Sequence, residues 1–160
     1  MTPGNAMAGL PPEIVAAIRL LLETSPTASL ATTDERGRPH AADVWFASDD
    51  RLRLYFVSSP DSAHARHLAR EGRVALTVYA RTDRPDQVHG VQIHGRCSPI
   101  EDAAGRQEAW AIYAARFPFV AAPPYRQAVE AQRFYVVAPV WLRWIDNRKG
   151  FGFKVEHGEA

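Results

Sequence analysis

LYFVSSPDSAHARHLAREGRVALTVY, Leu54 to Tyr79, places a short helix between two strands, and the fold turns on that interruption. Arg51 to Ser58 reads as a strand with Leu52, Leu54 and Phe56 on a buried face and Arg51, Arg53 and Tyr55 on the other. Ser59-Pro60-Asp61-Ser62 then caps a helix over Ala63 to Glu71, stopped by Gly72. Arg73 to Ala80 is the next strand.

Upstream, Thr27 to Thr33 and His40 to Ser48 are strands, joined by the turn Asp34-Glu35-Arg36-Gly37. Asp49-Asp50 turns the chain into the strand that ends at Ser58, completing an antiparallel meander. Before it, Ile14, Ile18, Leu21 and Leu22 recur at helical spacing from Pro11-Pro12, and Pro26 ends that helix.

Downstream, Arg81 to Gln87 is a polar loop, Val88 to Ile100 a fifth strand, and Asp102 to Arg116 a helix with Ala103, Trp110, Tyr113 and Ala114 on one face. A proline-bearing loop runs from Phe117 to Pro124, and Tyr125 to Ala131 suggests one more helical turn. Arg133 to Val137 and Val140 to Ile145 read as sixth and seventh strands separated by Pro139. The end, WIDNRKGFGFKVE (Trp144 to Glu156), reads as a turn at Asp146-Asn147 and a glycine-flanked aromatic hook. Residues 1–10 are expected to be flexible and 11–156 to form one domain, mainly β with peripheral helices and closed into a small barrel.

A net charge of +1 argues against nucleic acid or an anionic membrane surface as partner. No apolar run is long enough to cross a bilayer, and the N-terminus does not look like a secretory leader, so a cytoplasmic setting is expected. The single cysteine, Cys97, has no base nearby in sequence and is expected to be inert.

Ser58, Ser59 and Ser62 bring hydroxyls to a helix N-terminus, with His64 and Arg66 in its first turns; this suits an anion, and equally a plain surface cap. His64 and His67 stand at i, i+3, but no third ligand is nominated, and no metal site is expected. Nucleophile elbows, phosphate loops and dinucleotide fingerprints are absent from the sequence. Strand aromatics such as Trp45, Phe46, Trp141 and Trp144 read first as core or interface packing.

In order, ASLATTDERGRPHAADVWF, the stretch from Leu54 to Tyr79, and GVQIHGRCSPIED resemble the pyridoxamine-phosphate-oxidase-like, FMN-binding split-barrel superfamily. GVQIHG, YAARFP and IDNRKGFGFK are similar to a small bacterial branch of it. The resemblance covers about Pro11 to Lys154 and implies a six- to seven-stranded split barrel, paired with a second copy and holding FMN in the groove between them. By position it implies that Asp43, Val44, Trp45 and Phe46 lie along the flavin edge, and that Val57 and Ser58 meet the ribityl chain and phosphate. Where the oxidases have a Ser-Arg-Lys phosphate grip, this chain has Ser62, Ala63 and His64, with Arg66 close behind. Gln92 stands two residues after the position of the oxidases' strand glutamine, and Trp144 near a tryptophan that contacts the cofactor across the dimer.

The oxidases end in a cluster of Arg, Leu and His that binds the substrate's phosphate; here the segment is Gly150-Phe151-Gly152-Phe153, which rules out vitamin B6 oxidation as the expected activity. The expectation is a flavin-dependent oxidoreductase acting on a small, rather apolar molecule, with NAD(P)H or a deazaflavin as electron donor. No catalytic side chain is nominated. The competing expectation is a flavin or haem carrier without turnover, with His64, His89 and His94 as candidate axial ligands.

Overall fold

Seven antiparallel strands form one sheet that curls until its third strand meets its sixth. The computed structural model describes residues 9–158. Met1 to Ala8, most of the segment expected to be flexible, lies outside that range, and Leu10 is buried in the core.

The elements run α1 (Pro12–Thr24), β1 (Thr27–Thr33), β2 (Pro39–Ser48), β3 (Leu54–Ser58), α2 (Ala63–Arg70), β4 (Arg73–Tyr79), β5 (His89–Pro99), α3 (Ala103–Arg116), α4 (Tyr125–Glu130), β6 (Arg133–Asp146) and β7 (Lys154–Gly158). The sheet order is β3-β2-β1-β4-β5-β6-β7, and the β3–β6 pairing closes six strands into a barrel with β7 outside the closure. Alternation fills the interior with Leu30, Phe46, Leu54, Phe56, Val137 and Leu142, all fully buried. At one end Ile14, Ile18, Leu21 and Leu22 of α1 close the barrel; at the other, Ala65 and Leu68 of α2 do so.

A second core lies outside the barrel. Helix α3 covers β2 and β3, and Ala109, Tyr113 and Phe117 pack on Ala47, Tyr55 and Phe134. This corrects the one-sided reading of the third strand: Tyr55 is 2% exposed, so both faces are buried. The strand also begins at Leu54, because Arg51 to Arg53 belong to the preceding turn.

That turn repeats the one before β2. Asp34 accepts the amides of Arg36 and Arg38 and the Arg38 guanidinium, while Asp49 accepts the amides of Arg51 and Arg53 and the Arg53 guanidinium. Each turn needs one left-handed residue: Gly37 supplies it at φ 74°, and Leu52 at φ 58°. Leu52 is nonetheless 1% exposed. Left-handed backbone costs a leucine about 1–2 kcal/mol, whereas deleting a buried leucine side chain costs about 2–5 kcal/mol. Leu52→Gly is therefore expected to destabilise the fold by roughly 2 kcal/mol in urea unfolding; a more stable variant would show that backbone strain dominates.

The expected sixth and seventh strands are a single strand, β6, which runs through Pro139. The register with β5 passes from His94↔Trp141 to Gly95↔Pro139, leaving Val140 as a bulge. A bulge tolerates the missing proline N–H, and Gly95 permits the close approach, since a Cβ there would lie 2.7 Å from Val137 Cγ1. The last strand is instead β7, paired to Trp141–Ile145 of β6. The expected aromatic hook is the hairpin between them, with Phe151 76% exposed and Phe153 packed against the core. Asp146 anchors the hairpin by accepting the Arg148 guanidinium at 2.7 and 2.8 Å, a fork that holds its carboxyl below the usual range.

Candidate cofactor site in the split of the barrel

Strands β2 and β3 pair over only three positions, Phe46↔Phe56, Ala47↔Tyr55 and Ser48↔Leu54. Beyond them β2 runs back to Pro39 on β1 alone, and β3 runs on to Ser58 on β6 alone. The barrel is thus split along this seam, toward the end occupied by α2. Phe46 N–H donates to the Pro26 carbonyl on the β1 side at 3.2 Å. Alternation then turns the backbone groups of Asp43 and Trp45 the other way, into the split. An open strand edge offers donors and acceptors to a flat polar ring edge without any specialised side chain.

At the end of the split, Ser58 Oγ lies 2.7 Å from His64 Nε2 and 3.2 Å from Ser62 Oγ. Ser62 caps α2, accepting the Ala65 amide at 3.2 Å, so the hydroxyls and the free amides of the helix N-terminus face one spot. Burial pushes the His64 imidazole below its ordinary range, and the neighbouring His40 and His67 push it the same way. Near neutral pH it is an uncharged donor or acceptor.

His40 joins the His64–His67 pair read from the sequence and completes a cluster whose third member sequence reasoning missed. His40 stands opposite Thr32 across the β1–β2 register, and Thr32 Oγ1 lies 2.9 Å from His67 Nδ1. The His40 ring centroid is 6.4 Å from that of His64 and 5.5 Å from that of His67. The signal was present: His40 shares strand parity with the buried Val44 and Phe46, and His67 lies one helical turn after His64. The described residues hold no group of histidine, cysteine or carboxylate side chains arranged to bind a metal ion.

The remaining expected residues are distributed differently. Val44 and Phe46 point into the barrel and turn their backbone groups toward the β1 side, so neither side chain nor backbone of these two faces the split. Asp43 faces outward and accepts the Ser29 hydroxyl at 2.6 Å. Trp45 is 49% exposed on the outer rim, 5.1 Å from the Phe117 ring and 6.1 Å from that of Phe119. Val57 packs against the cluster beneath α3. Arg66 is exposed and donates to the Asp61 carbonyl.

Gln92 and Trp144 are not brought to this spot. Gln92 faces outward from β5, accepting Arg143 Nη1 at 3.2 Å. Trp144 is 1% exposed inside the barrel, its indole N–H without a partner among the described residues. His94 stacks on Trp141 at 4.4 Å, and His89 lies 6.0 Å from Trp144, both apart from the His64 cluster. The Cys97 thiol is buried and pushed up to about 12, which leaves it protonated and unreactive.

The donor set fits a phosphate monoester: two hydroxyls, one imidazole and a helix N-terminus at the end of an open strand edge. It contains no fixed side-chain cation, since Arg66 is engaged elsewhere.

A closed six-stranded sheet with one opened seam defines the split β-barrel class. Residues 14–145 match the family profile described as Pyridoxamine 5'-phosphate oxidase, and the chain belongs to that family. It is 27% identical to a UPF0306 protein of Enterobacter sp. (strain 638) over 132 residues, covering 72% of this chain and 80% of the relative. Among solved structures it is similar to a Clostridium acetobutylicum protein related to general stress protein 26, of the pyridoxinephosphate oxidase family. That likeness has a TM-score of 0.71 at 13% identity over 93% and 96% of the two chains. A heme binding protein from Mycobacterium smegmatis gives a TM-score of 0.76 at 18% identity, over 93% of this chain but 59% of that one. At these identities the structural likenesses speak for the fold alone.

Proposed function

We propose that this chain is a flavoprotein that holds FMN in the β2–β3 split, with its phosphate at Ser58, Ser62 and His64. The single observation that carries the reading is the opened seam, where unpaired strand backbone leads to a hydroxyl- and imidazole-lined helix N-terminus. Asp43 and Trp45 would hold the ring edge through their backbone, and Trp45 would cover its outer face. When bound, FMN would supply hydride chemistry through its ring system, which explains why the chain needs no catalytic side chain of its own. A second copy would complete the groove, and the exposed Trp45 and Tyr79 suit that contact.

The C-terminal hairpin bears on the substrate class. Its cations are occupied: Arg148 by Asp146, and Lys149 over the Phe153 ring at 5.2 Å. Nothing at Gly150 to Phe153 offers a phosphate donor set, so the reading is an oxidoreductase for a small apolar molecule, with NAD(P)H or a deazaflavin as donor. A second reading, haem carriage, is favoured by the His40–His64–His67 cluster, because an uncharged imidazole is the form that ligates iron.

The purified protein's visible spectrum, followed by denaturation and mass identification of what is released, separates these. Flavin absorbance bleached by NAD(P)H supports the oxidoreductase. A Soret band supports haem carriage, and a colourless protein that takes up neither FMN nor haemin overturns both.

A further inference from the structure

We propose that the cavity at the α1 end of the barrel, away from α2 and the split, is a separate binding site for a small aliphatic carboxylate. The head group accepts the Trp144 indole N–H and pairs with Arg81, and the chain lies along α1.

The cavity holds about 330 Å³, room for a small organic molecule rather than one water. One wall is a stripe on α1, where Ala17, Leu20, Leu21 and Thr24 follow one another at i, i+3, i+4 and i+7. Ala80, just past β4, adds to the apolar lining, and Trp144 of β6 is the buried floor. An indole N–H can only donate, and this one is buried without an acceptor among the described residues. The barrel core to which Trp144 belongs is a hydrophobic cluster, so the cavity is the side from which an acceptor can come. A phenylalanine would fill the interior without stranding a donor. A single water answers the need poorly, because it requires several polar partners of its own and those of this cavity lie toward its rim.

Most polar groups of the lining are already engaged. Thr24 Oγ1 donates to the Leu20 carbonyl, His89 Nδ1 lies 2.8 Å from the Gln87 carbonyl, and Arg148 forks on Asp146. Arg81 is different: its guanidinium has no carboxylate or carbonyl partner among the described residues. No carboxylate lines the cavity. The negative charge nearby is Asp146, spent on Arg148, and the carbonyl end of α1, worth about half a charge. Against two guanidinium groups the balance stays positive, which favours an anionic head over a neutral or cationic one. A carboxylate suits it, since its two oxygens can take the indole N–H and the guanidinium together. Leu20, 63% exposed, carries the apolar wall to the surface and gives an aliphatic chain contact on its way out.

Hexanoate, hexan-1-ol and hexylamine, titrated into the whole chain and read at the Trp144 indole N–H by NMR, test this. Hexanoate is expected to move that resonance downfield and to saturate, hexan-1-ol to bind about tenfold more weakly, and hexylamine not to bind. Arg81→Gln, on the exposed rim, is expected to weaken hexanoate about tenfold and to leave hexan-1-ol unchanged. The resonance is identified by its loss in Trp144→Phe or, if that variant does not fold, by sequential assignment of the wild-type chain. A resonance that hexanoate leaves unmoved overturns the inference, as does equal binding of hexanoate and hexan-1-ol. So does wild-type hexanoate affinity in Arg81→Gln. A shift produced by FMN in place of hexanoate would assign the cavity to the flavin and overturn the separate site.

Discussion

FMN affinity is expected to fall about a hundredfold when Ser62 and His64 are both replaced by alanine, while riboflavin affinity changes little. Each side chain supplies a hydrogen bond to a charged group, worth about 1.5 kcal/mol or more, and two of them correspond to about two decades in Kd. The ratio of the two affinities is the decisive quantity, because Ser62 also caps α2 at the Ala65 amide. Losing that cap costs about 1 kcal/mol of stability and would weaken both ligands together. An unchanged FMN-to-riboflavin ratio would place the phosphate elsewhere.

The largest stability effect is expected at Phe56. Its ring is fully buried, stacked at 5.2 Å on Tyr135 of β6, and lies 6.3 Å from the His64 ring. Phe56 also closes the last pair before the seam opens, opposite Phe46. Phe56→Ala removes the ring and leaves a cavity that strands on both sides cannot collapse into, at a cost of about 3–5 kcal/mol. In a chain of this size that lowers Tm by about 10 °C. Phe56→Leu, which keeps most of the volume, should recover more than half of the loss. A Tm within about 3 °C of wild type for the alanine variant would mean the barrel interior repacks around the gap.

Much of the architecture was legible because its signals are local. The bounds of β1, the capped start of α2 at Ser62 and the length of α3 follow from proline, serine, glycine and apolar spacing. Tyr55 and Pro139 were misread because their environments are set from far away. Tyr55 is covered by a helix that follows two further strands, and Pro139 continues a strand only because Gly95, on the neighbouring strand, lets a bulge form.

The site divides the same way. Ser58, Ser62 and His64 lie within a few residues of one another, so the strand–turn–helix that carries them assembles them locally. His40 joins them through the β1–β2 register: its strand parity announces the face it takes, but not the neighbours it meets there. Gln92 and Trp144 were nominated by position in a family. Their strands place Gln92 on the outer face of β5 and Trp144 in the barrel interior.

The twin turns at Asp34 and Asp49 hold both ends of β2, the strand whose edge is left open. Arg70 adds a tie from α2 to the first of them. With the β2 margin of the seam held at both ends, a ligand bound along it would pay less to order that part of the chain. Arrival would then be governed by diffusion and orientation, and differences between ligands would be written in how long each one stays.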